Sequence, residues 1–281
     1  MTVECVPNFS EGRNHVTISA LAQAVSRTPG ARLLDQTSDP DHNRTVLTLL
    51  GDPESISNAA LAAIRVAVQT IDLTKQTGVH PRIGAADVVP FIPLEDITLE
   101  QCAEFARQTG QRIWNELGVP VYLYEAAALR PECRRLEYIR KYAPVLPPDF
   151  GIHPHPTAGC CVVGARNFLI AWNINLNTTD LSAARTIARE IRESSGGLPA
   201  VKALGLPLES RSQVQVSINL VDFGITPMHI VFDAVAASCR RKGIEIAGSE
   251  LIGMIPPAAL AASEGYDLHW QNLTAQRILT L

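Results

Sequence analysis

The chain has 281 residues, 46% of them hydrophobic and 19% charged, with 24 Lys and Arg against 28 Asp and Glu for a net charge of −4. That length bounds it to one large domain or two modest ones and needs no disulfide or metal staple to fold. The mild acidity disfavours nucleic acid as a partner, no apolar run is long enough to span a bilayer, and the opening MTVECVPNFSEGRN lacks the basic and then apolar layout of a secretory signal. The expectation is a soluble cytoplasmic protein whose sparse charge leaves room for a self-association surface.

Residues 3–6 read as an opening strand that runs into the polar turn Asn8-Phe9-Ser10-Glu11-Gly12-Arg13-Asn14. Residues 17–28 carry Ala and Leu at helical spacing until Pro29-Gly30 stops them. Strand-like runs at 32–35 and 45–50 flank the turn SDPDHN, and Asp52-Pro53-Glu54 supplies a cap and a first-turn proline for a helix through 59–68. This β-α-β-β-α order lacks only the last strand of a split βαβ unit. Residues 78–94 hold too much Pro and Gly for a helix. A helix over 99–117 follows, then a strand at 119–124, a polar and Pro-rich stretch at 130–148, and a loop at 151–159.

The same order then recurs. A strand at 168–174 precedes a helix at 181–192, strands at 201–204 and 214–221, a helix from Thr226-Pro227 through 236–241, and a closing strand at 244–248. Recurrence of order without close identity assigns the α+β class, as two ferredoxin-like (split βαβ) subdomains at 1–178 and 179–281. A cleft between them is the expected ligand site, since pockets favour such junctions.

Several motifs can carry chemistry. His80, in GVHPRIG, is the best catalytic candidate, because imidazole changes charge nearest neutral pH. Pro81 stiffens the backbone after it, and Arg82 can hold a carboxylate through its planar fork. The competing reading is a histidine hydrogen-bonded in a turn. Asn8, Ser10, Glu11 and Arg13 form either a ligand-binding loop or a turn in which Ser10 or Asn14 caps the next helix. The turn holding Asp39, His42 and Arg44 is equally a solvated hairpin loop. His153 and His155 raise a metal question, but no partner motif accompanies them, so no metal is expected. Asn173, Asn175 and Asn177 recur at period two and so share one face of a strand, lining a polar cleft or meeting water at an edge. The six cysteines are scattered and read as reduced thiols. No P-loop, dinucleotide fingerprint, nucleophile elbow or zincin signature occurs.

The blocks VECVPNFSEGRN, DHNRTV (41–46), GVHPRIGAADVVPFIPL (78–94), LGVPVYLYEAA (117–127) and HPTAGCCVVGARNFLIAWNINLNT (to 178) resemble the formiminotransferase domain family. The resemblance covers essentially the whole chain, densely to residue 178 and more loosely after it. It implies two subdomains whose sheets face each other across a substrate tunnel, and a homodimer. It implies transfer of a formimino group from N-formimino-L-glutamate to tetrahydrofolate, the co-substrate, in histidine degradation. His80 then becomes the catalytic acid and base. Residues 151–160 become the folate-contacting loop, with Gly151, His153, His155, Pro156, Thr157 and Gly159 as contacts. Arg13, Arg44 or Arg82 would grip the carboxylates of glutamate. Asp39 or Glu11 would face the cationic formimino group, and Asn8, Ser10, His42, Asn173 and Asn175 would line the substrate. Two alternatives stand beside this reading: formyl transfer between glutamate and folate, and a non-catalytic folate-binding relative.

Overall fold

The computed structural model describes residues 1–280 and divides into two compact units, Met1–Asn167 and Phe168–Leu281. Both mix helices with a β-sheet. In the first unit β1 (Thr2–Cys5) and β2 (Asn8–Phe9) each pair antiparallel with β4 (Arg44–Gly51) on one side and β5 (Ala86–Glu95) on the other. β3 (Ala31–Asp39) closes the sheet beyond β4 as an antiparallel partner. Past β5 the sheet continues in parallel through β7 (Cys161–Ala165) to β6 (Val121–Glu125).

Three helices cover this sheet: α1 (His15–Ser26), α2 (Pro53–Thr70) and α3 (Leu99–Leu117). Each starts where a side chain satisfies the free N–H groups of its first turn. Asn14 Oδ1 accepts from the Val16 and Thr17 amides, at 3.0 and 3.3 Å, so Asn14 rather than Ser10 is the cap of α1. Asp52 Oδ1 accepts from Glu54 and Ser55 at 3.1 and 3.0 Å ahead of Pro53. Thr98 and Gln101 form a reciprocal capping box on α3, which ends at left-handed Gly118. The apolar faces of these helices bury Leu21, Ile56, Ile64 and Ile113 against Leu47, Leu49, Val89 and Phe91 of the sheet. A smaller cluster gathers Tyr122, Tyr124, Val88 and Val162 with Ile139 of the short helix α4 (Leu136–Tyr142).

β5 is the element that sequence periodicity conceals. Proline disfavours an interior strand because it has no N–H for the ladder, yet Pro90 and Pro93 both lie in β5, between β1 and β7. The carbonyl side still works there: the Val6 amide donates to Pro90 O at 3.2 Å. β5 supplies the strand missing from the expected β-α-β-β-α series.

In the second unit β8 (Ile170–Leu176), β9 (Val201–Leu208), β10 (Gln213–Leu220) and β11 (Ile246–Ile252) form an antiparallel sheet in the order β11-β8-β10-β9. α5 (Leu181–Ile191) and α6 (Met228–Lys242) pack against it over Trp172, Ile174, Val216 and Ile218, and α7 (Pro257–Ala261) follows near the end. The boundary at 167/168 falls ahead of the 178/179 division expected from sequence, because β8 pairs entirely within the second sheet. No helix among the described residues is long and apolar enough to cross a membrane. All six cysteines are buried and unbridged.

Replacing the α2 cap tests the local logic. Asp52→Ala is expected to lower the unfolding free energy by about 1 kcal/mol, read by urea denaturation, while leaving the transition cooperative.

Candidate active site

The loop that carries His80 is held from both sides. On one side Ser10 Oγ donates to Gly84 O at 2.7 Å and the Ser10 amide to Ala85 O at 2.8 Å. On the other, the Cys160 amide donates to Ile83 O and the Ala85 amide to Ala158 O, both at 2.9 Å. Gly84 permits this closeness: a Cβ there would lie 1.9 Å from the Cys160 carbonyl oxygen. Ser10 and the 155–160 segment thus fix the backbone beneath the histidine.

Asp87, fully buried near the start of β5, is the electrostatic centre of the site. Its Oδ1 accepts from the Ile83 amide at 2.8 Å. Its Oδ2 accepts from Arg44 Nη1 at 2.9 Å and from Arg140 Nη2 at 2.6 Å. Burial alone would raise the Asp87 pKa, but Arg140, Arg44 and the Ile83 N–H outweigh it and hold the carboxyl well below the usual range. Burial lowers Arg44 to about 10 against the pull of Asp87, so it remains a cation at neutral pH. Arg44 Nε also donates to Asn8 Oδ1 at 3.0 Å, which is where the expected substrate residue Asn8 is engaged.

Arg82 laces the His80 loop to the turn at 39–44. Its guanidinium donates to the carbonyls of His42 and Asn43, at 2.6 and 3.0 Å, and the Val79 amide donates to Asp41 O at 3.2 Å. Asp39 Oδ1 accepts from the His42 amide at 2.7 Å. These contacts bring the His42 ring to 5.8 Å from the His80 ring, centroid to centroid, at 37°.

His80 itself is half-buried, with Nδ1 2.8 Å from Pro81 O. A carbonyl only accepts, so Nδ1 carries the proton and the neutral ring presents Nε2 with its lone pair. Burial, followed by the Arg44 and Arg140 cations, lowers its pKa well below the usual value against the opposing pull of Asp87. At neutral pH this is an uncharged imidazole, ready to take a proton at Nε2.

Other expected site residues are committed elsewhere. Glu11 accepts at Oε1 from the Arg13 and Asn14 amides and at Oε2 from Gln76, with lengths of 2.8 to 2.9 Å. Burial would raise its pKa, yet these bonds bring the net shift down. Arg13 reaches Pro40 O at 2.8 Å from an exposed position. In the segment expected to meet folate, His155 Nδ1 accepts from the Ala158 amide at 3.0 Å, and His155 exchanges backbone bonds with Gly159. Thr157 O receives the Leu73 amide. His153 and Pro156 are exposed, while Gly151 packs on Trp114 and Pro120. Asn173 and Asn175 lie in the second unit, buried on β8, where Asn175 Oδ1 accepts from Gln215 Nε2 at 2.8 Å across the β8–β10 register. No group of three or more His, Cys, Asp or Glu able to hold a metal gathers among the described residues.

Comparison with known proteins places this geometry in a family. Residues 2–166 match the formiminotransferase domain, N-terminal subdomain, and residues 171–277 match the formiminotransferase domain. A glutamate formimidoyltransferase of Streptococcus pyogenes is 43% identical, over 96% of this chain and 97% of that protein. One from Thermoplasma acidophilum is 39% identical, over 99% and 95%. The formimidoyltransferase-cyclodeaminase of Mus musculus is 45% identical over 92% of this chain, which spans 51% of that protein. The chain belongs to the formiminotransferase domain family.

Two residues central to this formiminotransferase domain escape the sequence reading. Asp87 leaves a signal, as a lone charge in the apolar run ADVVPFI. Arg140 leaves none, since it sits among other charges in RRLEYIRKY. Because the native Asp87 pKa is depressed, its contribution is complete above the unfolded value of about 3.9 and fades as pH falls through the native one. Asp87→Asn is therefore expected to cost about 3–5 kcal/mol at pH 7. Urea unfolding across pH should show that difference from the unsubstituted protein shrinking progressively below about pH 4.

Proposed function

We propose that this chain is a glutamate formimidoyltransferase, moving the formimino group of N-formimino-L-glutamate to N5 of tetrahydrofolate in histidine degradation. The carrying observation is His80, neutral and protonated at Nδ1, with Arg44, Arg82 and Arg140 around it. N5 attacks the formimino carbon to give a tetrahedral intermediate. His80 Nε2 takes the N5 proton and returns it to the departing nitrogen of glutamate, since an amine leaves poorly unless protonated. The two carboxylates of glutamate complement the surrounding guanidinium groups. Asp39 or Glu11 faces the cationic formimino group in this reading, and both carboxylates also accept protein hydrogen bonds.

The finer features of the reading are proposals as well. Each unit is read as ferredoxin-like, given that β5, β1 with β2, β4 and β3 in one sheet and β11-β8-β10-β9 in the other follow the same order of elements. Tetrahydrofolate is a co-substrate met by residues 151–160, and the working form is a cytoplasmic homodimer, in keeping with a chain only 19% charged.

Replacing the proposed base tests this. His80→Ala is expected to reduce turnover of N-formimino-L-glutamate by roughly 10²- to 10⁴-fold while equilibrium binding of tetrahydrofolate stays within a few-fold. Near-normal turnover would remove His80 from the mechanism. Faster turnover of N-formyl-L-glutamate than of the formimino donor by the unsubstituted protein would select formyl transfer instead.

A further inference from the structure

The guanidinium groups around Asp87 hold more donors than the protein uses. Arg44 divides its donors between Asp87 and Asn8, and Arg82 turns its own onto the carbonyls of His42 and Asn43. Arg140 differs from both. One nitrogen, Nη2, is bound to Asp87, while Nε is buried and meets no acceptor among the described residues. A buried charged donor without a partner is unfavourable, and an anionic ligand would supply the acceptor. The local charge agrees, with Arg44 and Arg140 both on the carboxylate of Asp87.

The position of Arg140 selects the anion. Arg140 and His80 are tied to the same carboxyl group, one through Nη2 and the other through the Ile83 amide at the base of its loop. In an N-formimino amino acid the nitrogen that leaves and the α-carboxylate share one carbon. A cation beside the imidazole that serves this nitrogen therefore meets the α-carboxylate, whereas the γ-carboxylate lies two methylenes further away. We propose that Arg140 is a specificity-determining residue, gripping the α-carboxylate of the donor through its Nε edge while Nη2 stays on Asp87. This rests on the transferase reading above.

The test compares N-formimino-L-glutamate with its γ-amide, N-formimino-L-glutamine, and with N-formimino-4-aminobutyrate, which lacks the α-carboxylate. With the unsubstituted protein, the last donor should be poorer in kcat/KM by roughly 10- to 150-fold, the span of a charge-assisted hydrogen bond. Arg140→Met should raise KM by a similar factor for the two donors that keep the α-carboxylate. Any loss it causes on the third donor should be smaller, so that the preference for an α-carboxylate collapses, and Arg140→Lys should recover part of that preference. Equal losses on all three donors, or a loss that tracks the γ-carboxylate, would overturn the assignment. Should the Met variant fail to fold, the donor series on the unsubstituted protein and the Lys variant decide the matter. Calorimetric binding of L-glutamate against 4-aminobutyrate reads the same discrimination without turnover. Intact discrimination without catalysis would overturn the transferase reading alone, and catalysis without discrimination would overturn Arg140 alone.

Discussion

A single buried carboxylate organises this site. Asp87 would be intolerable in an apolar strand without compensation, because desolvation of an ion costs several kcal/mol even after relaxation. It is tolerated because three donors answer it, Arg44 from β4 and Arg140 from α4 on Oδ2 and the Ile83 amide on Oδ1. The consequence is architectural. Three segments distant in sequence are tied to one point, and the histidine loop is one of them. Removing the charge would leave two guanidinium groups, one of them almost fully buried at 9% exposure, facing each other without an anion.

The same arrangement sets the chemical state of His80. Burial first, and then the cations around the imidazole, disfavour its protonated form, and Asp87 opposes them only in part. In the proposed transfer, a base that is already unprotonated at neutral pH suits the step that takes the proton from the attacking amine. On the proposed function, the cost of clustering positive charge is offset by the donor, because a dicarboxylate brings negative charge with it. Binding and base strength are thereby coupled: an anion on Arg140 would raise the proton affinity of the neighbouring ring just when that ring must accept a proton.

Much of the fold is legible in the sequence where periodicity and capping agree. Leu99–Leu117 is read from its apolar face and carries a capping box, and Asp52-Pro53 announces α2. β5 is hidden because Pro90 and Pro93 argue against an interior strand, and only the pairing of their carbonyl side reveals it. The candidate site divides in the same way. His80, Arg44 and Arg82 stand out as functional residue types in Pro- and Gly-rich or polar turns. Ser10 and Glu11 stand out equally, and their side chains, like that of Arg82, bond to the backbone and hold the turns in place. Sequence does not separate a polar group that faces a ligand from one that closes a loop, since both prefer the same turns. Arg140 is invisible for the opposite reason, being one cation of several on a short helix until Asp87 picks it out.

The most direct measurement is nuclear magnetic resonance of the His80 ring, labelled with ¹⁵N and followed across pH in the ligand-free protein. The account requires a neutral ring at pH 7 with the proton on Nδ1, and a titration midpoint well below the ordinary value of about 6.5. A midpoint at or above that value, or a neutral ring carrying its proton on Nε2, would contradict it.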